Sequence, residues 1–176
     1  MEHRDAAGRP QQQGVLRCAL DLPATLRAAG AARRAARAVL LAWGHTDAAT
    51  HDVVELVITE LVTNAVRHTG SAAEVPRLHL ESGEPGSGED LLVAVSDGSS
   101  IRLVVKELTE TEESGRGLGI VAALGSAWGV EDWEGGKRVW VRLPVSTSGS
   151  VEVRMAGPGQ PPRQHVPVEA EALPTA

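Results

Sequence analysis

Trp128-Gly129-Val130-Glu131-Asp132-Trp133-Glu134-Gly135-Gly136-Lys137-Arg138-Val139-Trp140-Val141-Arg142-Leu143 is the stretch on which the fold turns. Two runs rich in Val and Trp flank a Gly-Gly pair, and such residues suit a pleated, half-buried surface. The pattern predicts strands near 128–133 and 138–143 with a tight Gly135-Gly136 turn between them. A hairpin pairs antiparallel. Upstream, 78–81 and 91–96 read as two further strands across the turn-rich segment 82–90. Residues 15–20 alternate weakly, as an edge strand does.

Helical signals fill the gaps. Pro23 suits a first helical turn, and 24–43 is rich in Ala, Leu and Arg, all strong helix formers. Gly30 is placed to interrupt this helix and Gly44 to stop it. Thr46 or Asp47 can cap a second helix that runs to about His68 and closes at Gly70. Residues 97–116 lack a period and read as a long loop, followed by a short helix after Gly117. The order is strand, helix, helix, strand, strand, loop, helix, strand, strand. It predicts an α+β two-layer sandwich, with a mixed but mostly antiparallel sheet and the helices on one face. A doubly wound parallel sheet does not fit.

The bulk numbers bound the rest. A chain of 176 residues suits one domain, and 42% hydrophobic residues suffice for a core. There is no Phe or Tyr, so Leu, Val, Ile and Ala must build that core, with Trp128, Trp133 and Trp140 expected to anchor it. Residues 1–13 read as a disordered lead-in and 14–145 as the folded domain. From 146 to 176 Ser, Gly, Pro and Glu dominate, a composition that cannot offset the entropy of ordering.

The formal net charge of -6 argues against generic nucleic-acid binding. Seven Arg and three acids fall within residues 1–44, whereas the remainder carries ten basic and twenty acidic residues. Arg27, Arg33, Arg34 and Arg37 thus make the first helix basic above an acidic body. Cys18 is the only cysteine, which excludes an internal disulfide and points to a reducing compartment. The polar start has no signal-peptide core, and no apolar run reaches the length of a membrane span. The expected location is cytoplasmic.

Three segments carry candidate chemistry. In the second helix Val54, Ile58, Leu61 and Ala65 make an apolar face, while Glu60, Asn64 and His68 stack at i, i+4 and i+8 on another. A part-buried carboxylate needs a partner, and an Asn in mid-helix lowers helix propensity. Mg²⁺ with phosphate ligands answers both needs, because it takes oxygen donors such as an Asn carbonyl. An ordinary amphipathic helix with a Glu–Asn surface pair explains this segment as well. The second segment is Asp97-Gly98 at a strand end. There a carboxylate can accept the exocyclic amine hydrogen of adenine, and a glycine lets a backbone approach a flat ring. A plain Asp-Gly turn is the alternative.

The third is Ser114-Gly115-Arg116-Gly117-Leu118-Gly119-Ile120-Val121, which opens a helix after the polar loop. Spaced glycines expose backbone N–H groups, and a helix N-terminus favours anions. Together they suit a phosphate cradle to which Arg116 adds charge; a hinge before a helix is the alternative. The rival nucleotide patterns fail. There is no G-x-x-x-x-G-K-[ST] loop. Gly117-Leu118-Gly119-Ile120-Val121-Ala122 matches a dinucleotide fingerprint but lacks the buried strand before it. No kinase H-R-D or D-F-G follows. The histidines lack metal-ligand spacing, and no G-x-S-x-G elbow supports a Ser–His–Asp triad.

In order and spacing, Glu60-Leu61-Val62-Thr63-Asn64-Ala65, Asp97-Gly98, Gly115-Arg116-Gly117-Leu118-Gly119 and Gly136-Lys137-Arg138-Val139-Trp140 resemble the GHKL ATPase superfamily. Within it, residues 15–144 look most like the short anti-sigma-factor serine/threonine kinases of actinobacterial type. The resemblance implies a Bergerat-type sandwich with ATP between the helices and a lid loop. It implies that Asn64 coordinates Mg²⁺, Glu60 is the general base and Asp97 binds adenine. Gly98 would lie beside the base, and Gly115, Arg116, Gly117, Leu118 and Gly119 would contact phosphate. Ser99 stands where the family commonly has a glycine. The implied partners are an anti-sigma-factor antagonist of the STAS type, as phosphoacceptor, and a sigma factor held through the first helix. A homodimer is left open, and neither a membrane nor direct nucleic-acid contact is expected. The competing reading is a non-catalytic module that binds a sigma factor or other partner around a degenerate ATP site.

Overall fold

The computed structural model describes residues 15–25, 27–68, 75–83, 90–98 and 113–144, with backbone alone for His68 and 113–116. The expectations for 1–13, the 146–176 tail, Gly70, Ser99 and the 99–112 part of the lid lie outside these residues. The elements are β1 (Leu16–Asp21), α1 (Ala28–Ala42), α2 (Ala48–His68), β2 (Arg77–Ser82), β3 (Leu91–Asp97), α3 (Glu113–Leu124), β4 (Ala127–Trp133) and β5 (Gly136–Leu143).

The strands form one sheet in the order β1-β2-β3-β5-β4, antiparallel at each pairing. Its register lines up Leu78, Val95, Val139 and Val130 across one face, and Leu80, Val93, Val141 and Trp128 in the next row. That face meets the helices: α2 packs on β3, and α3 on α2, β4 and β5. Val54, Val57, Ile58 and Val62 of α2 are fully buried, as are Val93 and Val141 beneath them. Each such side chain contributes about 1.5–3 kcal/mol through removal from water. The expected α+β sandwich is therefore the observed one.

Local chemistry explains the helix ends. In α1, Ala28, Ala32, Ala36 and Leu40 repeat every four residues and are buried, and the small side chains let α2 approach closely. Arg33 donates to Thr59 Oγ1 at 3.0 Å and Arg37 pairs with Glu55 at 3.0 Å, which ties the two helices. Gly44 takes a left-handed φ of 88°, with Gly44 N–H bonded to Leu41 O and His45 N–H to Leu40 O, a Schellman stop. Asp47 caps α2 by accepting the Thr50 N–H at 2.9 Å and its hydroxyl at 3.1 Å.

Some expectations shift. Pro23 precedes α1 instead of entering it, and Gly30 sits inside α1 without a break. The hairpin turn is Glu134-Gly135, not Gly135-Gly136. Both turn residues have positive φ, 44° and 83°, the geometry of a two-residue turn whose twist matches the strands. Gly136 belongs to β5 because a side chain there would strike the Asp97 carbonyl and stand 2.8 Å from Gly98 Cα. Only Trp128 anchors the core, at 2% exposure. Trp133 and Trp140 lie on the opposite sheet face, since Trp133 pairs with Gly136 and Trp140 with Ala94 and Gly129. There the Trp140 indole covers Gly129, while Trp133 takes Arg138 on its ring at 3.8 Å and the His79 edge at 5.7 Å.

Glu134 gives a stability test. A left-handed conformation suits Asn better than Glu, so Glu134→Asn should raise stability by about 0.5–1 kcal/mol. An unchanged or lower melting temperature would contradict the turn assignment.

His79 gives a second. Burial holds its imidazole below the usual histidine value of 6.5, and the cations Arg138 and Arg77 add to this, against smaller opposing effects of Glu134 and Asp21. Between the lowered folded value and 6.5 the unfolded chain binds a proton that the folded chain lacks. Stability conferred by neutral His79 is thus full above that window and falls as pH drops through it. Urea unfolding across the window should show the loss in wild type and a smaller one in His79→Gln. Equal losses would contradict it.

Candidate functional site

The helix α2 presents Val57, Ile58, Leu61, Val62 and Ala65 to the core at 3% exposure or less. Glu60 and Asn64 fall between these buried positions and are half-buried, one turn apart. The Glu60 side chain reaches α3 and lies on Gly117. A β-carbon at Gly117 would stand 3.3 Å from the Glu60 carboxyl carbon, 3.6 Å from Glu60 Cβ and in collision with Oε2. A side chain at Gly117 would compete with the carboxylate for this place, and the flexible end of Glu60 would have to swing aside. Gly119, by contrast, faces open space.

The glycine segment is helical from Glu113, whereas the sequence predicts a loop running to residue 116. Helix α3 begins at Glu113, so Gly115, Gly117 and Gly119 all lie within its first two turns. The first four N–H groups of a helix have no intrahelical acceptor. Those of residues 113–116, including Gly115 and Arg116, are the donors that an anion at this end would meet. Gly117 and Gly119 are deeper and contribute by their lack of a side chain. Leu118 packs its side chain into the core, which leaves only its backbone to face a ligand.

Asp97 closes β3 on the helix-facing side of the sheet, 5% exposed, with exposed Gly98 next to it. Its carboxylate is ion-paired: Lys137 Nζ stands 3.5 Å from Oδ1, with the two side chains 6% and 2% exposed for Lys137 and Asp97. Lys137 is opposite Asp97 in the β3–β5 ladder and opposite Asp132 in the β4–β5 ladder. The sequence reading missed Lys137. Its signal was present in the strand period, which puts Lys137 on the same face as Val139 and Val141.

A cleft of about 400 Å³ opens at the same end, lined by Asp21, Val75, Arg77, Ser96, Asp97, Gly98, Trp133 and Glu134. None of these comes from α2 or α3, so Asp97 and Gly98 stand between this cleft and the helix layer. His79 donates to or accepts from Ser96 Oγ at 2.9 Å on that outer face. The structure therefore brings together Glu60 with Gly117, and Asp97 with Lys137 and Gly136.

The donors suit a magnesium nucleotide. An amide oxygen from Asn64 and a carboxylate from Glu60 are hard ligands, and an open helix N-terminus lies beside them. Among the described residues no group of three or more His, Cys, Asp or Glu could hold a metal. A cation here would draw most of its ligands from phosphate oxygens and water, as Mg²⁺ does.

The class follows from a family match. Residues 22–143, from the residue after β1 to the end of β5, match the histidine kinase-like ATPase domain. The chain belongs to that family, and an ATPase domain implies that it binds ATP. No curated protein matches it. No helix among the described residues is long and apolar enough to cross a membrane.

Two glycine substitutions separate contact from flexibility. Gly117→Ala should swing the Glu60 carboxylate aside and change stability by less than about 1 kcal/mol, with ATP turnover lowered. Gly119→Ala should keep ATP affinity and gain up to about 1 kcal/mol in helix propensity. Melting curves and ATP titration measure both; equal effects of the two substitutions would contradict the contact.

Proposed function

We propose that this chain is an ATP-dependent serine/threonine protein kinase of the anti-sigma-factor type. The supporting observation is the Glu60 carboxylate seated on Gly117 beside the α3 N-terminus, with Asn64 one turn away. The acceptor is a serine or threonine hydroxyl on an anti-sigma-factor antagonist of the STAS type. Glu60 accepts the hydroxyl proton while the acceptor oxygen forms a bond to the γ-phosphorus. The bond from that phosphorus to the β,γ-bridging oxygen breaks, and ADP leaves with its electron pair. The α3 N-terminus and Arg116 hold the charge of the transferred group.

Asn64 supplies the protein oxygen that would hold magnesium, whose charge would offset that of the phosphates when bound. Asp97 accepts the exocyclic amine hydrogen of adenine. Orientation of reactants contributes much of the rate in such transfers. A sigma factor is the second partner. The outer side of α1 suits it, with Arg27 and Arg34 exposed while Arg33 and Arg37 are engaged to α2. The setting of this reaction is cytoplasmic.

A second reading is a non-catalytic partner-binding module. The Asp97–Lys137 ion pair favours it, because the carboxylate meant for the base already has a counterion. Transfer of label from γ-labelled ATP to an antagonist protein distinguishes the two.

Side-chain substitutions test the assignments. Asn64→Ala should remove Mg-dependent ATP binding with the fold intact by circular dichroism. Glu60→Gln should bind ATP within about twofold of wild type yet transfer phosphate at least about 100-fold more slowly, as expected for loss of a general base. Wild-type transfer by Glu60→Gln would reject the base, and wild-type binding by Asn64→Ala would reject the metal ligand.

A further inference from the structure

One side of α1 faces away from the core. Arg27, Ala31, Arg34, Ala38 and Leu41 follow one another at alternate spacings of four and three, so they share one helix stripe. Arg27, Arg34, Ala38 and Leu41 are exposed, Leu41 to 49%. Leu56 of α2, exposed to 41%, follows the Glu55 that pairs with Arg37. The stripe is thus apolar at the C-terminal end of α1 and basic toward its N-terminus. Its apolar end lies where the chain leaves β5. His45, just past α1, meets Ser82 at 3.0 Å, and in the adjacent row Glu81, Leu92 and Arg142 stand opposite one another across β2, β3 and β5. The exit from β5 is therefore two strand spacings from the end of β2, about 10 Å.

Beyond β5 the sequence passes through Gly, Ser and Pro to Val166-Pro167-Val168-Glu169-Ala170-Glu171. From 164 to 176 it has two glutamates and no Lys or Arg. We propose that Val166–Glu171 docks on the outer stripe of α1, its valines on Leu41 and Leu56 and its glutamates toward Arg34 and Arg27. Order supports this. A chain arriving from β5 meets the apolar end of the stripe first and the basic end second, and the segment places its valines before its glutamates. Length agrees as well. Leu41 to Arg34 is seven helical residues, about 10 Å, and Val168 to Glu171 covers about 10 Å when extended. The 22 residues from 144 to 165 span about 25 Å at the root-mean-square reach of a Gly-rich chain. Charge is complementary, acidic segment to basic stripe. Each exposed ion pair adds little alone, but the tether raises the local concentration of the segment to the order of millimolar. Docking one short segment needs no core of its own, in keeping with the composition of 146–176. The docked segment covers the side of α1 assigned above to a second protein partner, so the chain carries its own competitor for that surface. Docking itself does not depend on that assignment.

The test compares amide NMR spectra of the full wild-type chain with those of full-length Glu169→Arg/Glu171→Arg. The signals of Arg34, Ala38, Leu41 and Leu56 should differ between the two chains, while those of β4 coincide. The difference should shrink when salt is raised from about 0.1 M to about 1 M, where the screening length falls to about 3 Å. Adding Arg27→Glu/Arg34→Glu to the reversed chain should move the signals of Ala38, Leu41 and Leu56 back toward wild type. The wild-type spectrum should not change with protein concentration. Coinciding α1 signals in wild type and the reversed chain overturn the proposal, and the face is then left to a separate partner. Signals that shift with protein concentration overturn it too, because the occupant is then a second copy. Neither result touches the kinase reading, which these spectra do not probe. Should the chain with four substitutions not fold, the comparison of wild type with the reversed chain at the two salt concentrations still decides.

Discussion

The contact between the Glu60 carboxylate and Gly117 is the constraint around which the helix layer is arranged. Helix α2 turns Glu60 to the side where α3 passes, and α3 offers a position without a side chain there. The apolar residues on either side of Glu60 and Asn64 keep the rest of α2 in the core, so the polar pair has little freedom to turn away. A carboxylate held in this way beside a helix N-terminus is favoured electrostatically. The same pre-organisation suits a group that must meet a polyphosphate and a reacting hydroxyl. It also explains why a glycine-rich segment is compatible with a helix that tolerates glycine poorly.

The sheet supplies the second fixed point. Strand β3 is buried along its whole length, and its last residue, Asp97, is fixed by pairing with Lys137 and by the close passage of Gly136. On the proposed reading, the base end and the phosphate end of the site are set by different elements. Strands β3 and β5 define one, and α2 with α3 define the other. The sheet face away from the helices has its own chemistry, with His79, Trp133, Arg138 and Ser96 in one connected cluster.

Much of this was legible in the sequence, because it depends on local signals. The Asp47 cap, the Gly44 stop and the alternation in β2 and β5 each follow from residue chemistry near in the chain. The apolar stripe of α2 fixed the orientation of Glu60 in advance. What could not be read depends on contacts between distant segments. The helical state of 113–116 runs against the polar, glycine-rich composition that suggested a loop. The turn at Glu134-Gly135 places a non-glycine residue at positive φ, since Gly136 is needed in β5 against Asp97. Trp133 and Trp140 look like core residues by composition, yet one register position puts them on the opposite face. Lys137 acquires meaning only once the ladder sets it opposite Asp97.

The most direct measurement is calorimetric titration of the intact protein with ATP and with ADP, each with and without Mg²⁺. A site built from Asn64, Glu60 and the α3 N-terminus predicts one ATP per chain, bound more tightly when Mg²⁺ is present and more tightly than ADP. Absence of ATP binding, or binding indifferent to both the metal and the γ-phosphate, would contradict the account.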